Sequence, residues 1–330
     1  MNSSRWRAAV SEPKRNQHSR GPDESRRFAI HDARFTDLVK LALRIEVATL
    51  RGTREAVPRL LSVLKEHGAG ATFLFSLGPD RTGRALGTLP RVPRFRCYGL
   101  PALLSGTLLP AADIGARCAD VMRAVRDEGF EPGIHAYDRV AWLHHSLRGD
   151  AAWTHGAMTR ACQRFEEILG TPALSHGAPG WLMNRYAFRQ TQRLGFRHGS
   201  DTRGSGPFVP ILDGEIVACP QLPTTLPTLD EVLGSKGVTT ATAAERLLEL
   251  SRDPPETGHV YTLRAEVEGT VFEPVLRTLL SGWRALGYEL VALQDYATGL
   301  DAASLPRSIV ETQILPGRRP VSVQGREFLA

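Results

Sequence analysis

A chain of 330 residues with 42% apolar side chains can bury a large core, and no uncharged apolar run approaches the ~18 residues of a bilayer-spanning helix, so the sequence reads as a soluble protein. The net charge of +6 rests on arginine, with only four lysines among 41 basic residues; these residues form no single helical stripe, which argues against nucleic acid as a partner. Cys97, Cys118, Cys162 and Cys219 lie far apart with no C-x-x-C pair, which excludes a zinc ribbon and points to a reducing compartment.

Residues 1–38 are rich in Arg and Ser, lack periodicity and carry no apolar segment of the secretory kind, so they read as a disordered basic extension of a cytoplasmic protein. The first strand is expected at Leu41 to Val47. A helix follows over Thr53 to His67, with Val57, Leu60, Leu61 and Leu64 at helical spacing and Gly68 as its stop. Ala71 to Leu77 is a second strand. The stretch from Gly78 to Pro110 is too long for an ordinary connection and reads as an excursion at one end of the fold. Asp113 can cap a helix reaching Asp127, and a strand is expected at Glu131 to His135.

Helices ended by glycine are expected over Trp153 to Leu169 and Arg185 to Leu194, and further helices over Ala241 to Ser251 and Glu273 to Leu286. Strands are expected at Ala173 to His176, Arg197 to Asp201, Glu215 to Ala218, His259 to Ala265 and Glu289 to Leu293. Strands alternating with helices argue for a parallel sheet, and about 260 residues suit one α/β barrel. The expected organisation is therefore an extension over 1–38, a barrel over 39–300 and a C-terminal tail or loosely packed extension over 301–330.

Three segments carry the candidate chemistry. Leu41 to Pro58 holds Glu46 and Ala48, one residue apart at a strand end. His135-Ala136-Tyr137-Asp138-Arg139 and Tyr261-Thr262-Leu263-Arg264-Ala265-Glu266-Val267-Glu268-Gly269 follow. With Arg51-Gly52-Thr53-Arg54-Glu55, Ala178-Pro179-Gly180-Trp181, Ser200-Asp201-Thr202-Arg203-Gly204 and the Leu222 to Thr228 stretch, they resemble the polysaccharide deacetylase family. The resemblance runs in order from about Leu41 to Leu300. It is strongest toward the branch that deformylates 4-deoxy-4-formamido-L-arabinose attached to undecaprenyl phosphate.

That resemblance implies an irregular seven-stranded α/β barrel and a divalent metal that hydrolyses a sugar amide. It also assigns roles by position: Glu46 as general base, Ala48, His135 and Arg139 as the three metal ligands, and Arg264 as general acid. Of the three ligands only His135 can serve. Ala48 has no donor atom, and the Arg139 guanidinium stays protonated. Arg264 cannot release a proton near neutral pH, although it can bind an anion. Glu46 in an apolar strand needs a counter-charge, which Arg139 or Arg264 would supply.

Trp181, Asp201 and Arg203 are candidate sugar contacts, each with an alternative reading as a packed Trp or a salt-bridged turn. The sequence thus predicts a non-catalytic or altered member with no metal, binding a lipid-linked or phosphorylated amino sugar and resting at the inner face of the cell membrane. Two alternatives stand beside it: an active hydrolase that recruits Glu46, His135 and His144 or His145 to a metal, and a scaffold for an active partner.

Overall fold

The protein is described by a computed structural model covering residues 39–314 and 320–328. The expectation for 1–38 lies outside the described residues. Five strands, β1 (Val39–Val47), β2 (Thr72–Ser76), β3 (Glu131–Ala136), β4 (Ser175–His176) and β5 (His198–Gly199), alternate with helices as the sequence pattern requires. Two short strands follow, β6 (Val209–Leu212) and β7 (Glu215–Ile216). After them come β8 (His259–Arg264), β9 (Tyr288–Val291), β10 (Arg307–Ile314) and β11 (Pro320–Glu327).

Seven of these strands form one sheet in the order β5-β4-β3-β2-β1-β8, with β9 also paired to β1, and every pairing is parallel. This is the α/β architecture, with seven parallel strands, that the resemblance implies. The strand expected at Glu215 to Ala218 is real but belongs elsewhere. It is half of a hairpin with β6, in a four-stranded sheet ordered β11-β10-β6-β7.

The C-terminal segment, expected as a tail, instead supplies two strands of that second sheet and lies in the same compact unit as the barrel. Backbone hydrogen bonds tie it down: Arg203 N–H donates to Ser322 O at 2.9 Å, and Gln324 N–H donates to Arg203 O at 2.8 Å. Val321 and Val323 pack on Trp181. Local pattern carries little warning of this, because short strands of mixed polarity have a weak periodic signal.

Alternation along β1 decides what faces inward. Leu41, Leu43, Ile45 and Val47 join the main core with the 57–66 helix residues Val57, Leu60, Leu61 and Leu64. The even positions, Ala42, Arg44, Glu46 and then Ala48, take the opposite face, as a period of two demands. The expected helix from Asp113 is present but breaks at Cys118, whose φ of −134° leaves Ile114–Arg117 and Ala119–Asp127 as separate pieces. The excursion after β2 holds two helical segments, Thr82–Thr88 and Arg94–Leu104.

Candidate active site

Strand register builds the centre of the site. In the β1–β8 pairing Glu46 stands opposite Arg264 and Arg44 opposite Thr262. Glu46 Oε2 lies 3.4 Å from Arg264 Nε, and its Oε1 accepts a 2.7 Å hydrogen bond from Arg44 Nη1. Arg264 Nη1 also binds Asp230 Oδ1, from the 229–233 helix. The result is an alternating chain of charges, Arg44, Glu46, Arg264 and Asp230, inside the strand ends. Burial would raise the Glu46 carboxyl, but the charges of Arg44 and Arg264 outweigh it and hold the group well below the usual carboxylate range. Burial likewise disfavours the Arg264 cation, yet Asp230 and Glu46 keep it charged.

Arg44 is the principal partner of Glu46, and residue-by-residue reading did not single it out. Its side chain is 0% exposed. Besides Glu46, it donates to Ser200 O at 3.2 Å and Thr262 Oγ1 at 3.4 Å, and it lies 5.5 Å from the Trp181 ring centroid. Gly177 makes room for it, since a Cβ there would stand 2.9 Å from Arg44 Nη2 and 2.2 Å from Leu74 Cδ1. The available signal was a cation two residues before Glu46, and so on the same strand face.

Arg139 does not pair with Glu46; no ion pair joins them among the described residues. Its Nη1 is buried without a hydrogen-bond partner, and its charge acts on Glu266, His135 and Tyr98. His135 is buried, and its Nδ1 sits 2.7 Å from Gly177 O, so that Nδ1–H donates there and Nε2 carries the lone pair. Burial pushes this imidazole down to about 3, so it is neutral. Tyr98 reaches in from the Arg94–Leu104 segment and is 1% exposed. Sequence reasoning missed it because nothing within an irregular excursion says which residue turns inward.

Glu266 explains why two of the recognised motifs occur together. Its Oε1 accepts from Ala48 N at 3.0 Å, Thr49 N at 2.8 Å and Thr49 Oγ1 at 2.9 Å, closing the exposed N–H groups where the chain turns from β1 into helix. Gly52 of the Arg51–Glu55 motif is needed for that contact, because a Cβ there would fall 2.1 Å from Oε1. Oε2 of Glu266 is buried without a partner, and burial raises this carboxyl. Glu268, accepting from Arg264 N at 3.0 Å, is pushed up by burial to about 7.

The remaining candidates sit within the wall. Trp181 is fully buried, with Arg203 4.9 Å from its ring centroid and Val321 and Val323 against it, so no free face remains for a sugar. Asp201, fully buried, accepts from His176 Nδ1 at 2.7 Å and Ala178 N at 2.8 Å. Arg203 is 3% exposed, paired with Glu231 at 3.2 Å and bonded to Leu226 O at 3.1 Å. These three residues brace the strand ends, where sequence reasoning had offered them as sugar contacts.

A divalent metal does not fit the residues present at the implied ligand positions: Ala48 offers no donor, Arg139 brings a positive charge, and His135 supplies one nitrogen where about three protein ligands are needed. No group of three or more His, Cys, Asp or Glu is gathered for a metal among the described residues. His144 and His145 are exposed at the end of the Arg139–His145 helix, away from buried His135. A groove of about 900 Å³ opens nearby, but neither Glu46, Arg139 nor Arg264 lines it.

The chain is 34% identical over 254 residues to the probable 4-deoxy-4-formamido-L-arabinose-phosphoundecaprenol deformylase ArnD of Shewanella sediminis, spanning 74% of this chain and 81% of that one. The chain belongs to the polysaccharide deacetylase family, alongside these deformylases. A second relative, the probable ArnD of Wigglesworthia glossinidia brevipalpis, is 28% identical over 277 residues, covering 81% of this chain and 96% of its own. No family model matches the sequence. Among solved structures, a protein described as a polysaccharide deacetylase from Mycobacterium smegmatis superposes with a TM-score of 0.58. It is 18% identical and covers 86% of this chain and 98% of that one, a likeness of fold.

Proposed function

We propose that this chain is a member of the deformylase branch that has lost the metal-dependent hydrolytic step and keeps a binding site for a lipid-linked or phosphorylated amino sugar. One observation carries the reading. Both oxygens of Glu46 are engaged by arginines, and the second of these, Arg264, is also held by Asp230. A general base must bind a proton, and a general acid release one, near neutral pH; the arginines hold Glu46 well below the usual carboxylate range, and the carboxylates keep the Arg264 proton in place. With no metal chemistry supported by Ala48 and Arg139, the carbonyl of a sugar formamide would meet no activated water.

Binding is a different matter, because Arg139 Nη1 is a buried donor without a partner and suits a carbonyl or phosphate oxygen. Arg264 is already neutralised by its two carboxylates, so Arg139 is the stronger candidate contact. Between Asp80 and Asp113 the chain has five arginines and no carboxylate, and it exposes Phe95, Leu100 and Leu108. That composition supports a cytoplasmic protein resting on an anionic membrane surface, within reach of a lipid-linked sugar. No helix among the described residues is long and apolar enough to cross a membrane.

The test uses the purified full chain, without chelator, and the formamido-arabinose polyprenyl phosphate that the relatives' name specifies. Formate release and bound metal are measured together, and titration calorimetry follows binding. Binding without formate release, weakened by Arg139→Ala, is expected. Formate release together with about one equivalent of divalent metal, both lost in His135→Ala, would establish an active hydrolase instead.

A further inference from the structure

The groove of about 900 Å³ is lined by no member of the charge chain. Ala136, at the end of β3, lines it with Tyr137, Asp138 and the 151–169 helix, whereas His135 does not. Its volume is in the range of small-molecule sites. Its lining mixes small aliphatic, polar and aromatic residues. Trp153 is half-buried along one side and packs against Trp142 at 5.8 Å between ring centroids, while the Arg160 guanidinium covers Tyr137 at 4.9 Å.

The charges of the lining balance, with Arg81 and Arg160 against Asp113 and Asp138, and Arg81 and Asp138 are paired with each other at 2.6 Å. A charged ligand gains nothing there. Hydrogen-bonding groups, however, are at hand. Thr159 Oγ1 is buried without a partner. Trp153 is half-buried and Gln163 exposed, so the indole N–H and the amide are hydrogen-bonding groups within reach of solvent. An apolar chain laid over them would strand those groups dry. A ring bearing hydroxyls both donates and accepts, and its C–H face stacks on indole.

We propose that this groove is a second binding site, for an uncharged saccharide, with Trp153 as its platform and Thr159 and Gln163 as its hydrogen-bonding contacts. The site is independent of whether the Glu46 centre is catalytic.

The experiment titrates the full chain with cellotriose and with xylotriose while following tryptophan indole N–H resonances, assigned through Trp153→Phe. The Trp153 signal is expected to move saturably, with those of Trp181 and Trp283 unmoved. Gln163→Ala changes an exposed side chain that contributes nothing to the core, so its folding is secure; it should weaken binding several-fold. Trp153→Ala should weaken it about tenfold, the effect of losing a stacked aromatic anchor. No saturable shift with either sugar overturns the proposal. So does a Trp153 response to a decyl-chain detergent or to inorganic phosphate but not to the sugars, which would mark the groove as a seat for an apolar chain or an anion.

Discussion

Replacing Glu46 by alanine isolates the physics of the central charge chain. Arg44 has a side-chain exposure of 0%, and Glu46 is the one carboxylate that pairs with it among the described residues, so the variant leaves a buried, uncompensated guanidinium. Arg264 keeps Asp230 and contributes little to the loss. Breaking a buried pair from one side costs about 3–5 kcal/mol. At roughly 2–4 °C per kcal/mol for a chain of this class, thermal unfolding should fall by about 6–20 °C. The assay is circular dichroism melting with urea titration at neutral pH.

The double variant Arg44→Met with Glu46→Ala should recover most of that loss, because it removes both charges and leaves apolar volume. The acid limb supplies an independent check. Glu46 is held below the carboxylate range in the folded state, so its contribution is complete above the unfolded pKa of about 4.3 and declines as pH falls below it. The wild type should therefore lose more stability than Glu46→Ala on moving below about pH 4. A melting temperature for Glu46→Ala within a degree or two of wild type, or no recovery in the double variant, would show that Arg44 is solvated in solution and refute the reasoning.

Glu268 gives the opposite pH dependence. With its carboxyl raised to about 7, the folded state retains a proton that the unfolded chain releases, so stability should fall as pH rises from about 4.3 to 7, and Glu268→Gln should flatten that slope in urea titrations. Gly177→Ala drives a methyl into Leu74 and Arg44 and should destabilise by roughly 1–3 kcal/mol, while disturbing the His135 anchor at Gly177 O. The His135 ring should stay neutral from pH 5 to 8 by NMR, with no titration shift, since burial holds it near 3. The combined substitution Glu46→Asp, Ala48→Asp, Arg139→His and Arg264→His should gain divalent metal by elemental analysis where the wild type does not, because it supplies a three-ligand set.

By itself the sequence determined the architecture and the chemical deficit. Apolar runs at strand spacing and glycine-stopped helices marked eight strands, seven of which form the parallel sheet while Glu215 to Ala218 falls in the second sheet, and Ala48 and Arg139 cannot ligate a metal in any conformation, because ligation depends on atoms the side chains lack or protons they do not release. Tertiary structure alone decided who neutralises whom. Arg139 and Arg264 were equal candidates as partners for Glu46, yet the β1–β8 register sets Arg264 beside it, and the face of β1 that Glu46 shares with Arg44 brings Arg44 closer still. Asp230 joins them across a gap of 34 residues. Trp181, Asp201 and Arg203 show the same limit. Their residue types fit a sugar site, but exposure is a property of the packed chain, and a hairpin formed more than 100 residues downstream closes over the Trp181 ring. Local pattern reports which side chains share a face; only folding brings distant faces together and determines which charges lose their water.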